Sequence, residues 1–327
     1  VSLSAMKVLF LRTADSLHFS YRYLVEFIDH RYPIEIYDPN KPAADQFNEI
    51  EVVIDTGGAT GTHEMVDAAK AAGVKLWQVT TNGLDHVDTE YILGKGLLLS
   101  HSPGPLTAVP LAEHALLMIL YFAKNLNHNH TKDWHRVMND ELEGKTLGLI
   151  GFGASAKELA RRARALGLRI IAIDNRDIPQ QELDEFHLAF LGYPEDLEKI
   201  LVESDFLSVH VPLTNQTRHL IDQHAFSLMK EKAVLINVAR GEIVDNNALI
   251  GALTSGLIKG AGIDAYAEEP LAPEHPLLKL GNVLTTPHVA GFTQGTWHRR
   301  AKAAAENIDR LAKGLSPRNL VDPLSSP

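Results

Sequence analysis

The segment TLGLIGFGASAKELARRARALG, residues 146–167, constrains the fold of this chain more than any other. A strand-like run leads into Gly151 and Gly153, and a helical segment with one apolar face follows from Ala154 and Ser155. The first glycine permits a tight turn, and the second lets the backbone approach a pyrophosphate. The N-terminus of the helix offers free N–H groups to phosphates. The segment therefore predicts a Rossmann-like unit that binds a dinucleotide, with alanine in place of the third glycine of the fingerprint.

An acidic residue stands where such a unit holds the ribose. The next strand, RIIAID, ends at Asp174, 23 residues after Gly151. A carboxylate there can accept hydrogen bonds from both ribose hydroxyls and repels a 2′-phosphate, which favours NAD over NADP. Arg176 argues in the opposite direction, because its charge would attract that phosphate. An ordinary glycine turn in an unliganded protein is the alternative, but strand, helix and acid together favour the cofactor site.

Short apolar runs alternate with helical segments along most of the chain, the pattern of parallel sheets covered by helices. Five runs occur up to about residue 100: KVLFL, IEIY, VVID, KLWQVT and GLLLS. Seven more follow, TLGLI, RIIAID, LAFLG, DFLSVH, AVLINV, GAGIDA and VLTT. The fold class is therefore predicted as α/β, with two doubly wound parallel-sheet domains, one flavodoxin-like and one Rossmann-like, and an active-site cleft between them.

Two features set the predicted domain boundaries. SPGP breaks the alternation after the fifth run, and the helical segment TWHRRAKAAAENIDRLAKG near the C-terminus can pack back on the first domain. We therefore expect a discontinuous substrate-binding domain of residues 1–104 plus 293–327. Residues 105–292 would form the NAD-binding domain.

The segment VPLAEHALLMILYFA, residues 109–123, is apolar on nearly every side. Thr107 can cap the helix. Pro110 lies in the first turn, where a missing N–H costs nothing. A helix of this kind needs burial all round, which a domain or subunit interface supplies, and a core helix is the alternative. We expect a homodimer that forms through residues 107–135.

Composition excludes several classes of function. Lys plus Arg total 31 against 41 Asp plus Glu, so the formal charge is -10, which argues against a nucleic-acid partner. The chain contains no cysteine, so it has no disulfide, thiol nucleophile or thiolate metal site. The N-terminal run VSLSAMKVLFLRTADS shows no long apolar stretch, upstream basic region or cleavage site. We expect a cytoplasmic protein with no membrane partner.

Three stretches near the C-terminal end supply side chains with three different abilities. NVARGEIVD contains Arg240, DAYAEEP contains Glu269, and TTPHVAG contains His288. A guanidinium can clamp a carboxylate, an imidazole can transfer a proton near neutral pH, and a carboxylate can hold that imidazole in one tautomer. Singly, they can be a surface ion pair, a turn residue and a structural histidine. Together they predict proton transfer on an anionic substrate.

A histidine cluster, His128, His130 and His135, invites interpretation as a metal site. Carboxylate or cysteine partners at ligand spacing are missing from this part of the sequence. Solvated histidines at a helix end are the better interpretation, and no metal is predicted.

In their order and spacing, the motifs resemble the D-isomer-specific 2-hydroxyacid dehydrogenase family. GFGASA with Asp174 is followed by SVHVPLTNQT, NVARGEIVD, DAYAEEPL and TTPHVAG. NGLDHVD and AEH resemble the family's N-terminal pattern, and ENI and PRNLV resemble its C-terminal one. The resemblance implies an NAD-dependent oxidoreductase that acts on the CH-OH group of 2-hydroxy acids.

The resemblance also implies a role for each candidate catalytic residue. Arg240 would hold the substrate carboxylate, which backbone N–H groups of Asn82 and Gly83 would grip as well. His288 would be the acid and base, oriented by Glu269. Because an adjacent anion favours the imidazolium, we expect Glu269 to raise the pKa of His288.

A larger set of residues is implied in cofactor binding. Asp264 would anchor the nicotinamide carboxamide. The others implied around the cofactor are Gly151, Gly153, Ala154, Ser155, Asp174, His210, Pro212, Thr217, Val238, Ala239, His288 and Gly291.

Departures from the family pattern narrow the substrate. The loops DTGGATGTH and TTNGLDH contain no Lys or Arg, which disfavours phosphoglycerate. The phosphite-oxidising relatives have lysine where this chain has Asn82, and the formate-oxidising relatives have glutamine where it has Glu269. Both of these activities are therefore disfavoured. A small unphosphorylated 2-oxo acid remains, such as glyoxylate, hydroxypyruvate or a short branched-chain acid. The residues that could touch its tail are Thr56, Gly57, His101, Leu106 and Trp134.

Two alternatives stay open from the sequence. The same fold and the same Arg, Glu and His occur in NAD-binding transcriptional corepressors, which recruit partners. A phosphoglycerate dehydrogenase-like enzyme is the other. Turnover of a 2-oxo acid would separate the enzyme from the partner-recruiting module.

Overall fold

The structure is a computed structural model. It describes four stretches of the chain, residues 6–11, 20–57, 61–129 and 134–322. The fold is α/β with two parallel sheets, which confirms the fold class that the alternating pattern predicts. None of the helices in the described stretches combines the length and apolar character needed to cross a bilayer.

The chain divides into two compact units. The first unit is discontinuous and comprises Val1–Leu106 and Thr293–Pro327. The second unit is Thr107–Phe292. Each unit contains one of the two sheets.

The first unit contains a five-stranded parallel sheet in the order β2-β1-β3-β4-β5. Its strands are β1 Lys7–Leu11, β2 Ile34–Ile36, β3 Ile50–Asp55, β4 Leu76–Val79 and β5 Leu98–Ser100. Its helices are α1 Arg22–Ile28, α2 Ala43–Gln46, α3 His63–Ala72, α4 Thr89–Gly94 and α11 Gln294–Ala312. Helix α3 ends at Gly73, which adopts a left-handed conformation with φ 85° that glycine accommodates without a steric penalty.

Helix α11 returns the chain to the first unit. Ala301, Ala304 and Ile308 are buried on one face, where they join α1 and strand β1 in one apolar cluster. Asn307 on the same helix donates to Gln78 (2.7 Å), and accepts a hydrogen bond from the N–H of Arg318 (2.7 Å). These bonds satisfy buried polar groups and tie the C-terminal segment to the sheet.

The second unit contains a seven-stranded parallel sheet in the order β12-β11-β10-β9-β6-β7-β8. Its strands are β6 Thr146–Ile150, β7 Arg169–Ile173, β8 Phe190–Gly192, β9 Phe206–Val209, β10 Val234–Asn237, β11 Gly260–Ile263 and β12 Val283–Thr285. Its helices are α5 Ala108–Ala123, α6 Ala154–Ala165, α7 Gln180–Leu183, α8 Leu197–Glu203, α9 Gln223–Leu228 and α10 Asn246–Ser255.

The first crossover of this sheet follows directly from the sequence. Every residue of β6 is buried, as expected for a central strand covered on both faces. The apolar face of α6 buries Ala156, Leu159, Ala160 and Ala163. The three alanines among them let α6 approach the sheet and α5 closely.

One local prediction is wrong in part. Thr107 occupies the N-cap position of α5, but its side chain accepts no capping hydrogen bond. Its ψ of 1° is the reason, because a capping hydroxyl reaches the first turn from an extended backbone. Leu117 on α5 is 54% exposed, so a single copy of the chain does not bury the helix all round.

Candidate active site

The predicted site residues of the second unit share one edge of its sheet. They lie in the loops that follow the carboxyl ends of the parallel strands, where ligands bind in open α/β sheets. Gly151 to Ser155 follow β6, Asp174 follows β7, His210, Pro212 and Thr217 follow β9, Val238 to Arg240 follow β10, Asp264 and Glu269 follow β11, and His288 and Gly291 follow β12.

His288 and Glu269 form a hydrogen-bonded pair, although 19 residues separate them. Nδ1 of His288 lies 2.8 Å from Oε2 and 3.0 Å from Oε1 of Glu269. An ionised carboxylate only accepts, so Nδ1 carries the proton that is donated, and Nε2 is left to exchange a proton with a ligand. Both side chains are partly buried but keep exposed fractions of 45% for His288 and 36% for Glu269, so a small molecule can reach them.

This pairing shifts the pKa of each partner. The hydrogen bond to Glu269 raises the pKa of His288 above its ordinary value of 6.5, against burial and the charge of Arg240, which lower it. Burial alone would raise the pKa of Glu269, but hydrogen bonds from His288 and from the N–H of Tyr266 outweigh burial and leave it below its ordinary value. The expected rise of the histidine pKa is thereby confirmed.

Asp264 holds the loop that carries His288. Its carboxylate is 1% exposed and accepts hydrogen bonds from the N–H groups of Val289 (2.9 Å) and Ala290 (2.8 Å). The hydroxyl of Thr286 donates to it as well (2.6 Å). His288 has a φ of 51°, a left-handed conformation that costs a non-glycine residue about 1–3 kcal/mol and persists only when neighbouring contacts fix it. Asp264 supplies such contacts, and its implied bond to nicotinamide stays a prediction.

Arg240 is placed by its own loop. The side chain of Asn237 donates to the carbonyl of Arg240 (2.8 Å) and accepts from the N–H of Ala239 (3.1 Å), which fixes the turn after β10. A Cβ on Gly241 would collide with the backbone of Tyr266. Glycine therefore lets the Arg240 loop and the Glu269 loop approach each other, and the charge of Arg240 lowers the pKa of both Glu269 and His288.

The glycine turn fits the phosphates of a dinucleotide. Gly151 has a φ of 87°, and a Cβ there would lie 2.9 Å from the carbonyl oxygen of His210. A Cβ on Gly153 would meet no described atom within 4 Å, so the backbone at the start of α6 is open to close approach. The hydroxyl of Ser155 lies 3.0 Å from Nδ1 of His210. Burial lowers the pKa of His210 to about 4, so this imidazole is neutral beside the turn.

Arg176 forms an ion pair with Asp174, the carboxylate that is predicted to bind the ribose. Its Nε and Nη2 donate to the two carboxylate oxygens of Asp174 at 2.8 and 3.0 Å. Backbone N–H groups of Phe152 (2.7 Å) and Arg176 (3.0 Å) donate to them too. Burial raises the pKa of Asp174, but these bonds outweigh burial and leave it below its ordinary value. A carboxylate offers about four acceptor sites, so ribose hydroxyls compete with Arg176 for Asp174.

The remaining predicted residues are placed as follows. Asn82 and Gly83 follow strand β4 of the first unit, where the Asn82 carbonyl lies 3.2 Å from Nδ1 of His101. Thr217 closes its own loop by donating to the carbonyl of Pro212 (2.7 Å). Gly291 lies close to α5, since a Cβ there would be 3.4 Å from Leu111.

The histidine cluster gives no evidence for a metal. His130 lies outside the described residues. Within the part of the chain that the structure describes, no group of three His, Cys, Asp or Glu residues is arranged to hold a metal ion.

Sequence reasoning missed three residues near His288. The N–H of Tyr266 donates to Glu269 (2.9 Å), and its hydroxyl lies 3.0 Å from the carbonyl of Thr286. Thr286 contacts Asp264 through its side chain, and His114 lies 2.9 Å from the Thr286 hydroxyl. All three stand inside motifs that carry the resemblance, DAYAEEP, TTPHVAG and AEH, so the motifs held the signal.

The chain has similar proteins among known families. The family model described as D-isomer specific 2-hydroxyacid dehydrogenase, NAD binding domain, matches residues 115–290. A glyoxylate reductase from Thermococcus litoralis is 34% identical over 316 residues, 91% of this chain and 93% of that protein. A D-3-phosphoglycerate dehydrogenase from Archaeoglobus fulgidus is 35% identical over 265 residues, 79% of this chain but 49% of that protein. The NAD-complexed structure of a D-isomer specific 2-hydroxyacid dehydrogenase from Lactobacillus delbrueckii ssp. bulgaricus is 25% identical. The match to that structure covers 97% of this chain and 100% of the Lactobacillus chain, with a TM-score of 0.81.

Proposed function

Because the chain belongs to the D-isomer-specific 2-hydroxyacid dehydrogenase family, we propose that it reversibly reduces a small unphosphorylated 2-oxo acid of the glyoxylate or hydroxypyruvate kind. It is an NAD-dependent oxidoreductase. The observation that carries the proposal is the hydrogen bond between His288 and Glu269, within the electrostatic reach of Arg240. These three residues supply an acid, its orienting anion and a clamp for a carboxylate.

Two observations support an unphosphorylated substrate. The Thermococcus litoralis relative, which matches over nearly its whole length, is a glyoxylate reductase. The loops DTGGATGTH and TTNGLDH of the first unit contain no Lys or Arg, the residues that bind phosphate esters most often. This chain matches only about half of the Archaeoglobus fulgidus phosphoglycerate dehydrogenase, which makes that activity the weaker candidate. Steady-state rates with glyoxylate, hydroxypyruvate, a branched 2-oxo acid and 3-phosphohydroxypyruvate test the choice, and a clear preference for the phosphorylated acid would overturn it.

The reaction follows from how charge develops on the substrate. NADH, when bound, supplies the hydride that reaches C2 of the 2-oxo acid. Arg240 would hold the substrate carboxylate and orient the carbonyl. As the carbonyl oxygen becomes alkoxide-like, the Nε2–H of His288 would stabilise it and then donate its proton. Glu269 would keep Nδ1 protonated and balance the imidazolium charge. A contribution from Asn82 and Gly83 in the first unit stays a prediction.

Replacing Glu269 by Gln is expected to move the pH profiles to lower pH. Reduction needs protonated His288, so it falls as pH rises through the pKa of His288, and oxidation falls as pH drops through the same pKa. Glutamine still accepts a hydrogen bond but removes the anion that raises this pKa. Both limbs should therefore shift to lower pH in kcat/KM profiles. Glu268→Gln, at the preceding residue, is the matched control. An unshifted profile for Glu269→Gln would refute the role of Glu269 in raising the pKa of His288.

Replacing Arg176 by Ala is expected to tighten NADH binding and weaken NADPH binding. The side chain is 58% exposed, so the ion pair with Asp174 contributes only about 0–1 kcal/mol. Its removal frees two acceptor sites for ribose hydroxyls and takes away a positive charge that a 2′-phosphate would meet. We expect about a twofold to fivefold shift in each Kd, measured by cofactor fluorescence. Arg164→Ala, at the far end of α6, should change neither value, and equal Kd values for Arg176→Ala and wild type would contradict the competition.

The outer face of α5 supports a homodimer through residues 107–135. Leu117 on α5 and Leu126 just after it are 54% and 55% exposed. Large apolar side chains left exposed on and just after one helix are what an interface with another chain would cover. A second copy of this chain is the partner that we propose.

Replacing Leu117 by Glu is expected to convert the dimer to a monomer in sedimentation velocity. A charge in the centre of an apolar interface costs about 2 kcal/mol or more, so association should weaken by roughly thirtyfold or more. Val202→Glu on α8 is a fair control, because Val202 is 51% exposed and lies far along the chain from this segment. A wild-type protein that sediments as a monomer would contradict the homodimer.

A further inference from the structure

His114 reaches the loop of His288 through a single hydroxyl. The histidine lies on α5, and its side chain is 14% exposed. Its Nε2 lies 2.9 Å from Oγ1 of Thr286, which in turn lies 2.6 Å from Oδ1 of Asp264. The direct distance from Nε2 of His114 to Oδ1 of Asp264 is 3.6 Å, so Thr286 provides the shorter connection.

The direction of each hydrogen bond can be worked out. Two backbone N–H groups donate to the Asp264 carboxylate, one to each oxygen, so both oxygens act as acceptors. The Thr286 hydroxyl has one proton, which it donates to Asp264. It can then only accept from His114, so Nε2 of His114 must carry a proton. The connection therefore runs in one direction, from His114 through Thr286 to Asp264.

This connection acts on the strained part of the loop. Asp264 binds the loop on both sides of His288, at Thr286 before it and at Val289 and Ala290 after it. His288 between them has a φ of 51°. A carboxylate that loses the Thr286 hydroxyl would hold only the far side of the loop. The near side would keep only the backbone bond from Thr286 to Ile263 and the bond from the Tyr266 hydroxyl, so the imidazole could turn away from Glu269 more easily.

We propose that His114 and Thr286 are positioning residues, with His114 held as the Nε2–H tautomer, which fix Asp264 and thereby aim His288. The inference rests on the proposed role of His288 as acid and base. Both would act through Asp264 and the loop that carries His288.

The kinetic test compares variants that break the connection with variants that keep it. His114→Leu and Thr286→Val remove the donor and the hydroxyl, whereas His114→Gln and Thr286→Ser preserve an N–H and an O–H. The first pair should lower kcat for 2-oxo acid reduction about tenfold to a hundredfold, the loss that a misplaced catalytic group causes. KM for the 2-oxo acid and Kd for NADH should change less than about threefold. The second pair should regain most of the rate, and a full rate in His114→Leu or Thr286→Val would overturn the proposal.

A spectroscopic test separates this inference from the proposed function. Heteronuclear NMR of the imidazole nitrogens in nitrogen-labelled wild-type protein should show His114 protonated at Nε2, with a resonance assigned by its loss in His114→Gln. That resonance should shift in Thr286→Val. An Nδ1–H tautomer with unprotonated Nε2 would overturn the inference even if the enzyme is active. Failure of the wild type to reduce any 2-oxo acid would sink the proposed function, and the hydrogen-bond direction would still be decided by the NMR result.

Discussion

Replacing His288 by Gln is expected to lower kcat for the reduction of a 2-oxo acid by about a hundredfold to ten-thousandfold. Glutamine is similar in size and can still hydrogen bond to Glu269, but it cannot deliver a proton to a developing alkoxide. The fold should survive, because His288 is exposed and its loop is held through the carboxylate of Asp264. Steady-state and single-turnover rates with NADH measure the effect.

Two controls make this result specific to His288. Kd for NADH should stay within about threefold of wild type, since glutamine keeps a polar side chain of similar size beside the cofactor. His224→Gln, at another exposed histidine that lies on α9, should leave kcat unchanged. Adding Glu269→Gln to His288→Gln should cost little more, because the carboxylate acts through the imidazole. Near-native turnover in His288→Gln would remove His288 from the mechanism.

Replacing Arg240 by Gln is expected to lower kcat/KM for the 2-oxo acid about a hundredfold to a thousandfold, the usual cost of losing a group that stabilises developing charge. The guanidinium can donate two parallel hydrogen bonds to a carboxylate, and its charge would also polarise the adjacent carbonyl. Both KM and kcat should therefore suffer. Arg240→Lys should recover only a small part, because an ammonium keeps the charge and loses the planar fork.

A matched arginine is available in the same unit. Arg169 begins β7, at the amino end of the sheet, and pairs with Glu203 (2.8 Å). Arg169→Gln should leave kcat/KM unchanged, since ligands bind at the carboxyl ends of the strands. An Arg240→Gln variant with wild-type KM and kcat would show that another group holds the substrate carboxylate.

Local sequence signals predicted most of the fold. The spacing of apolar residues and the conformational freedom of glycine are local signals, carried by neighbouring residues. They predicted strand β6, the turn at Gly151 and helix α6. The left-handed Gly73 at the end of α3 was foreseeable for the same reason. The prediction that Thr107 caps α5 was wrong in part, because its backbone does not have the extended conformation from which a capping hydroxyl reaches the first turn.

The candidate site was foreseen less completely, because its contacts span long stretches of chain. Proximity of His288 to Glu269 came from the ordered motifs and the resemblance, not from any local pattern. His114 and Thr286 are 172 residues apart in sequence, and only the packing of α5 beside β11 brings them together. The sequence showed Arg176 as a positive charge two residues after Asp174. Its bidentate grip on Asp174 depends on a side-chain conformation that sequence spacing does not specify.

The most direct test of the central claim follows the hydride itself. Wild-type protein is incubated with hydroxypyruvate and NADH that carries deuterium at both C4 positions of the nicotinamide ring, and the product is examined by mass spectrometry and chiral chromatography. Transfer to C2 predicts D-glycerate with one deuterium at C2. Tight binding of NADH with no labelled product, from hydroxypyruvate or from glyoxylate, would contradict the claim and favour a partner-recruiting module.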